Sequence, residues 1–480
     1  MMEACGVFGA YTRSGAAFPY IYWGLVAQNH RGHQSYGFLT LDRGFHEVKA
    51  LGLIPQVGGW EVEKWLKRLP GNVGVGHVRY ATSGLSDVES LRQGAQPVVF
   101  EGRVKLALAY NGNVVWCKRP LERPTRSDIE VMGKALSEAG ELEEGVKACM
   151  DEVEGAFSAV GLTSDGTLFA FRDPHGIKPL CHGNDGDVYA FSSESVGLNI
   201  NSIEYLGEVE PGELIKVSEG DVERVKLRPC GNHALCAFEF AYFARPDSIL
   251  NGRYVYEARV EFGRNLGREY SEIAERLDVI LDIPETASDA AYGLHVETGV
   301  PWERALRRHR YVTHRAFISS PKERSRIIDK KINVLSSKIR GRRVGVVDDS
   351  IVRGDTTRVI VKKLRAAGAR EVHLFITFPR IISPCFYGID MATYGELIGF
   401  RHEPEEIAKL IGADSVNYQP IRDFVRATGM RMDELCLGCV TGRYPTPTAQ
   451  RMADEARRLL ESGWSEEGRI YEAIRLGEKP

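Results

Sequence analysis

The stretch Val344-Gly345-Val346-Val347-Asp348-Asp349-Ser350-Ile351-Val352-Arg353-Gly354-Asp355-Thr356-Thr357 constrains the fold more than any other part of this chain. Its first four residues are apolar or small and carry no charge, the pattern of a parallel strand buried on both faces. Two carboxylates follow at the strand's C-terminal end, where open α/β sheets hold their ligands. Arg353-Gly354-Asp355-Thr356-Thr357 then leads into Val359, Ile360 and Leu364 at helical spacing. The free N–H groups of a helix start suit a phosphate, and adjacent carboxylates suit a ribose diol or a hydrated Mg²⁺. Strand, acid pair, phosphate loop and helix occur in working order, which separates this run from a solvated turn after a core strand.

With 480 residues the chain is long enough for two or three domains, each with its own core. A formal net charge of -3 gives no long-range pull toward nucleic acid or a membrane surface. No segment approaches the roughly 20 apolar residues of a membrane helix, and Met1-Met2-Glu3-Ala4-Cys5 lacks the regions of a signal peptide. The expectation is a cytoplasmic, soluble enzyme. In such a chain the 9 cysteines argue against a disulfide framework and leave metal, cluster, nucleophile or plain core as roles.

Cys5-Gly6-Val7-Phe8-Gly9-Ala10-Tyr11 reads as a strand headed by a cysteine. If Met1 to Ala4 are removed, Cys5 carries a thiol and a free α-amine, a usable base near neutral pH. Nucleophile and base on one terminal residue is a known way to activate a weak nucleophile. Taken alone, a buried strand cysteine is the commoner reading. Asn29-His30-Arg31-Gly32-His33-Gln34-Ser35, Gly74-Val75-Gly76-His77-Val78-Arg79-Tyr80, Tyr110-Asn111-Gly112-Asn113 and Ser127-Asp128 follow in order.

Together with Cys-Gly-Val-Phe-Gly at the start, these motifs resemble the class II glutamine amidotransferases of the N-terminal-nucleophile kind, over about the first 200 residues. The resemblance implies that Cys5 attacks the glutamine amide and that the Asn111 side chain and Gly112 N–H hold the oxyanion. It places Arg31 and Gly32 at the glutamine pocket. A bidentate grip on the α-carboxylate falls to Arg79, and a charge partner for the α-ammonium to Asp128. His30, His33 and His77 invite a Cys–His dyad, but the terminal amine already supplies a base. Tyr110 stands where the family often has His, a packing change. Phe171-Arg172-Asp173-Pro174-His175-Gly176-Ile177-Lys178 and Phe191-Ser192-Ser193-Glu194-Ser195 also match and are read as structure.

The run 348–354 resembles the signature of type I phosphoribosyltransferases, and within them the amidophosphoribosyltransferases, which use phosphoribosyl pyrophosphate (PRPP). Charged, Gly-bearing residues near 218–233 are expected to link the two halves. Pro284-Glu285-Thr286-Ala287 stands where the family has Pro-Asp-Ser-Gly facing pyrophosphate, and Ala287 replaces a glycine whose backbone freedom it lacks. Asp355 stands where Thr is usual, a carboxylate beside a phosphate cradle. The resemblance implies Mg²⁺ at Thr286, Asp348 and Asp349, and PRPP contacts from Gly354, Asp355, Thr356 and Thr357. It also implies a flap over residues 310–318, with Arg315 and Lys331, and less firmly Arg324, as cations for the leaving pyrophosphate.

Cys436-Leu437-Gly438-Cys439 alone is zinc, redox or nothing. With Cys236 and Cys385 it matches four positions that bind a [4Fe–4S] cluster in one amidophosphoribosyltransferase subgroup, so a cluster is expected, with zinc as the alternative. Cys117, Cys149, Cys181 and Cys230 match no motif.

The resulting expectation is α+β and α/β: an N-terminal-nucleophile αββα sandwich (5–228), a type I phosphoribosyltransferase domain with a parallel sheet (234–440) and a helical tail (441–480). The implied reaction joins PRPP and glutamine into 5-phosphoribosylamine, the first step of purine synthesis. A glutaminase with a different acceptor and a non-catalytic PRPP or nucleotide sensor are the alternatives. A homo-oligomer, dimer or tetramer, inhibited by purine nucleotides is the family expectation.

Overall fold

The computed structural model describes residues 5–55, 59–80, 88–118, 128–229, 231–309, 330–391 and 393–462. In the N-terminal half, alternating small and apolar residues build two antiparallel sheets. Seven strands form the first, with Gly6–Thr12 central between Val188–Ser192 and Val73–Arg79. Six form the second, with Leu106–Cys117 paired to Val153–Thr163. Val7, Val75 and Phe191 of the first sheet share one core with Ala107, Val160 and Ile215 of the second. The outer face of the first sheet is covered by the helix Phe18–Ala27. Ile129–Glu138 and Leu142–Glu152 cover the second. The layers are therefore helix, sheet, sheet, helix, as expected.

The stretch near 218–233, expected to be a linker, contains a strand instead. Asp221–Lys226 pairs antiparallel with Glu213–Ser218 at the edge of the second sheet. Only one side of an edge strand faces the core, so a charged sequence is tolerated there.

The C-terminal half holds a parallel sheet in the order Val279–Asp282, Arg343–Asp348, Glu371–Ile376, Ser415–Tyr418. Val344, Val346 and Ile376 face the helices Asp355–Ala366 and Pro404–Ile411. Val347 and Phe375 face the opposite layer, with Leu266 and Ala290. Both faces are covered, which is why these strands read as unbroken apolar runs.

Between the halves, Leu235–Cys236 pairs in parallel with Leu435–Cys436, Cys236 opposite Cys436. Val115, Ala156 and Ile177 of the N-terminal half pack into the same cluster as Phe238, Tyr387 and Met452. Met452 belongs to the helix Pro447–Glu461, the described part of the expected tail. No described helix is long and apolar enough to cross a membrane.

Candidate functional site

Cys5 immediately precedes the central strand, and its Sγ lies 3.5 Å from the Tyr80 carbonyl. Burial pushes its thiol up, against the opposing pull of Arg79, Lys178 and Arg31. The thiol is thus not ionised by its surroundings, so a base must take its proton. His77 does not serve: its Nε2 donates to the Tyr110 carbonyl at 3.1 Å, and burial beside Arg79 lowers it to about 3. His30 is held by Glu194 at 2.8 Å. His33 is lowered to about 4 by burial and by Lys331.

The bond from His77 brings Tyr110-Asn111-Gly112 against the strand next to Cys5. Asn111 is 1% exposed, and its Nδ2 has no hydrogen-bond partner among the described residues. An amide donor held dry and unused is what an oxyanion site requires before its substrate arrives. Gly112 is a glycine for packing reasons, since a Cβ there would lie 1.8 Å from the Ala156 oxygen. Tyr110 packs in the core beneath the sheet, as its sequence reading expects.

Asp128 is buried, and its Oδ2 accepts the Val114 N–H at 2.8 Å, which fixes it beside the same strand. Arg79 lies against Gly94, whose missing side chain makes room for the guanidinium, and its Nη1 reaches the Leu91 carbonyl at 3.4 Å. Gly32 sits against the backbone of Val78 and Arg79. Arg31 spends its side chain on the framework behind Cys5. Its Nε donates to the Cys5 carbonyl at 3.0 Å, and its other nitrogens meet Glu194 and Glu239.

A second site is a cavity of about 580 Å³ at the C-terminal end of the parallel sheet. Asp348 ends its strand and Asp349 follows, both buried. Thr286 Oγ donates to Asp349 at 2.5 Å and Ser350 Oγ at 2.7 Å. Burial and the charge of Asp349 raise the Asp348 carboxyl well above its usual range, and burial raises Asp349 against the Thr286 and Ser350 hydrogen bonds. A pair so disfavoured as two bare anions is poised for a cation. Gly354 has φ +79° and caps the helix Asp355–Ala366, a left-handed position that only glycine adopts cheaply. Thr356 and Thr357 also line the cavity, as does Lys331.

The two departures from the family pattern are accommodated. Ala287 has φ −87° and ψ −4°, ordinary right-handed backbone, so alanine needs none of the freedom of glycine there. Asp355 pairs with Arg358 of its own helix at 3.6 Å, which offsets its charge beside the loop. Arg315 and Arg324, with the flap over 310–318, lie outside the described residues.

His30, considered in the sequence only as a dyad partner of Cys5, lines this cavity instead, together with Tyr242, Arg245, Arg259 and Arg308, to which the sequence reading gives no role. Arg259 reads as one polar position on an amphipathic helix, yet it is buried and donates to the carbonyls of Phe240 and Ala244.

The four motif cysteines converge from three segments. Cys236 and Cys436 are strand partners, the Cys439 carbonyl accepts the N–H groups of Ile382 and Ser383, and Tyr387 N–H points at Cys385 Sγ at 3.4 Å. All four are buried, and burial raises each thiol, Cys236 to about 12. The charges of the other three also raise the Cys439 thiol. Lys178, fully buried and without a hydrogen-bond partner for its Nζ among the described residues, also acts on Cys236, Cys385 and Cys436. Among the described residues no three His, Cys, Asp or Glu side chains stand at the spacing of a single metal ion. Cys117 is half-buried and Cys149 and Cys181 are buried, while Cys230 lies outside the described residues.

Comparison with known proteins places nearly the whole chain among relatives. The family description "glutamine amidotransferase domain" matches residues 85–199. The amidophosphoribosyltransferase of Methanocaldococcus jannaschii is 39% identical over 473 residues, 92% of this chain and 98% of that protein. The amidophosphoribosyltransferase of Pyrococcus horikoshii is 41% identical over 93% of this chain and 97% of its own. The solved Bacillus subtilis glutamine phosphoribosylpyrophosphate amidotransferase, complexed with ADP and GMP, superposes with TM-score 0.83 at 34% identity, covering 92% of this chain and 98% of that one.

Proposed function

The chain belongs to the amidophosphoribosyltransferase family, and from that premise we propose how its residues divide the work of making 5-phosphoribosylamine from glutamine and PRPP. It is an enzyme of the first step of purine synthesis. Relatives matched over nearly their whole length favour this reading over a different acceptor or a sensor.

The observation that carries the proposal is the dry, unpartnered Asn111 amide, presented next to Gly112 on the strand tied to that of Arg79. Cys5, freed of residues 1–4, gives its thiol proton to its own α-amine and attacks the glutamine amide carbon. Asn111 Nδ2 and the Gly112 N–H stabilise the oxyanion. Arg79 and Asp128 hold the two α-substituents of glutamine. The intermediate expels ammonia with the proton held by the α-amine, and water then hydrolyses the glutamyl thioester to release glutamate and free Cys5. The ammonia passes within the protein to C1 of PRPP, displacing pyrophosphate, because in bulk water it would be protonated.

In the cavity, the N–H groups of the 354–357 loop hold the 5-phosphate, and Asp348 and Asp349 face the ribose and its metal. Thr286 orients Asp349 and adds an oxygen beside it. Lys331, which lines the cavity, faces the leaving pyrophosphate, and the family resemblance gives Arg315 the same role. The donor set fits Mg²⁺, a hard cation that takes carboxylate and hydroxyl oxygens. When bound, it neutralises pyrophosphate charge.

The four cysteines fit a [4Fe–4S] cluster: buried thiols, a backbone N–H aimed at sulfur, and a buried cation in Lys178. A zinc ion would draw four sulfurs to about 3.8 Å apart, given Zn–S bonds of about 2.3 Å. A four-iron cluster takes one thiolate at each corner and spreads them wider. The role proposed for it is structural, joining the 236, 385 and 436–439 segments. We further assign purine nucleotides as inhibitors, a dimer or tetramer as the assembly, and the cytoplasm as the location.

The test is covalent labelling. A glutamine-like diazoketone should modify Cys5, and peptide mapping should find the label on an N-terminal Cys5 lacking residues 1–4. Label on any other cysteine, or active protein that retains Met1 to Ala4, overturns the assignment. Anaerobically purified protein should contain iron and sulfide; their absence removes the cluster.

A further inference from the structure

Glu194 has a fully buried side chain and contacts residues of both sites. Its Oε1 lies 2.8 Å from His30 Nε2 and 2.5 Å from Arg31 Nη1. Its Oε2 accepts from the Arg245 backbone N–H at 2.9 Å and from Ser248 Oγ at 2.7 Å. Arg31 also pairs with Glu239, at 2.8 Å and 3.0 Å, and donates to the Cys5 carbonyl at 3.0 Å. Glu194 and Glu239, both with buried side chains, thus share the one Arg31 guanidinium. Removing one partner of such a buried carboxylate leaves its charge uncompensated, which is strongly destabilising. Against burial, His30, Arg31 and these hydrogen bonds hold the Glu194 carboxyl well below its usual range.

His30 and Arg31 are consecutive, yet they serve different sites. Arg31 backs the nucleophile. His30 turns outward, 31% exposed, and lines the cavity that holds Asp348 and Asp349. Its Nε2 is committed to Glu194, so Nδ1 is the ring atom left to meet a ligand. Arg245, whose backbone Glu194 also grips, lines the same cavity.

We propose that His30 is a substrate-contacting residue of the transferase cavity contributed by the glutaminase half, and that Glu194 is the positioning residue that locks its placement to that of Cys5. The proposal rests on the reading of the cavity as the PRPP site.

The experiment separates the two half-reactions in the full-length enzyme. Ammonium chloride in place of glutamine gives the KM for PRPP without the glutaminase step. Glutamine hydrolysis gives the KM for glutamine. His30→Ala should raise the KM for PRPP by about tenfold while the KM for glutamine moves less than about twofold. His30→Gln, which keeps a donor toward Glu194, should recover part of the loss. Glu194→Gln should raise both KM values, because it unties both sides. An unchanged KM for PRPP in His30→Ala overturns the inference, as do two KM values that rise together with a falling melting temperature. If Glu194→Gln does not fold, the His30 pair alone decides. Wild-type enzyme that releases no pyrophosphate from PRPP overturns the reading of the cavity and this inference with it. Wild-type turnover with an indifferent His30→Ala overturns this inference alone.

Discussion

Asn113 Nδ2 donates to the Phe386 carbonyl at 2.9 Å, binding the strand of Asn111 and Gly112 to the loop that follows Cys385. Gly388 in that loop lies against the Gly112 carbonyl, which a Cβ would approach to 3.2 Å. The oxyanion donors are thus braced by the segment that carries one of the cluster cysteines. Asn113→Ala removes this buried hydrogen bond, at a cost of about 0.5–1.5 kcal/mol. Its denaturant midpoint should fall and its glutaminase kcat should drop, with iron content unchanged. An unaltered kcat would show that the brace does not reach the oxyanion site.

Asn111 separates catalysis from stability. Its Nδ2 makes no hydrogen bond among the described residues, so its removal deletes no such bond and relieves a buried, unsatisfied donor. Loss of one oxyanion donor costs about 10²–10³ in kcat. Asn111→Ala should therefore lose about that much glutaminase activity while its melting temperature stays close to that of the wild type. Equal falls in both would mean that the side chain is structural.

Much of this was readable because local chemistry and tertiary placement agree. Val344 to Val347 had to be a buried strand, and Asp348 and Asp349 had to stand at its end. Cys5, Asn111 and Gly112 lie on or at the head of regular strands, where motif and geometry coincide. What escaped depends on long-range contacts. Glu194, read as structure, is central only because His30, Arg31, Arg245 and Ser248 meet it across the fold. Lys178, also read as structure, proves to be buried, with no hydrogen-bond partner for its Nζ among the described residues and the Phe243 ring 5.8 Å away. The worry about Ala287 came from a family pattern and was resolved by a backbone angle that no single sequence reveals.

The acid pair predicts a metal response of opposite sign in two conditions. Burial raises both carboxyls, and the Asp349 anion further disfavours ionisation of Asp348. Without metal, Asp348→Asn should be as stable as wild type or more so, because a like-charge contact is gone. With millimolar Mg²⁺ and PRPP the wild type should melt higher, by mass action, and the variant should not follow. Differential scanning calorimetry on both proteins measures this. An equal shift in the variant would take the metal away from Asp348.

His77 ties stability to pH. Its folded value, about 3, lies below the unfolded value near 6.5. The native state therefore disfavours the protonated ring, and the contribution is fully present above pH about 6.5. It is lost progressively as pH falls toward 3, up to roughly 5 kcal/mol. His33 and His182, each lowered to about 4, act in the same sense. His77→Gln can keep the bond to the Tyr110 carbonyl without titrating. Its stability should fall less steeply between pH 6.5 and 4, by about one proton in the slope of denaturant-derived ΔG against pH. An identical slope contradicts the assignment.

The central claim is that one chain couples glutamine hydrolysis at Cys5 to nitrogen transfer at the Asp348–Asp349 cavity. The direct measurement is glutamate and pyrophosphate released from glutamine, with Mg²⁺ throughout, in the presence and absence of PRPP. Coupling predicts that PRPP strongly accelerates glutamate release and that the two products appear in equal amounts. Glutamate release indifferent to PRPP, with no pyrophosphate formed, would contradict it.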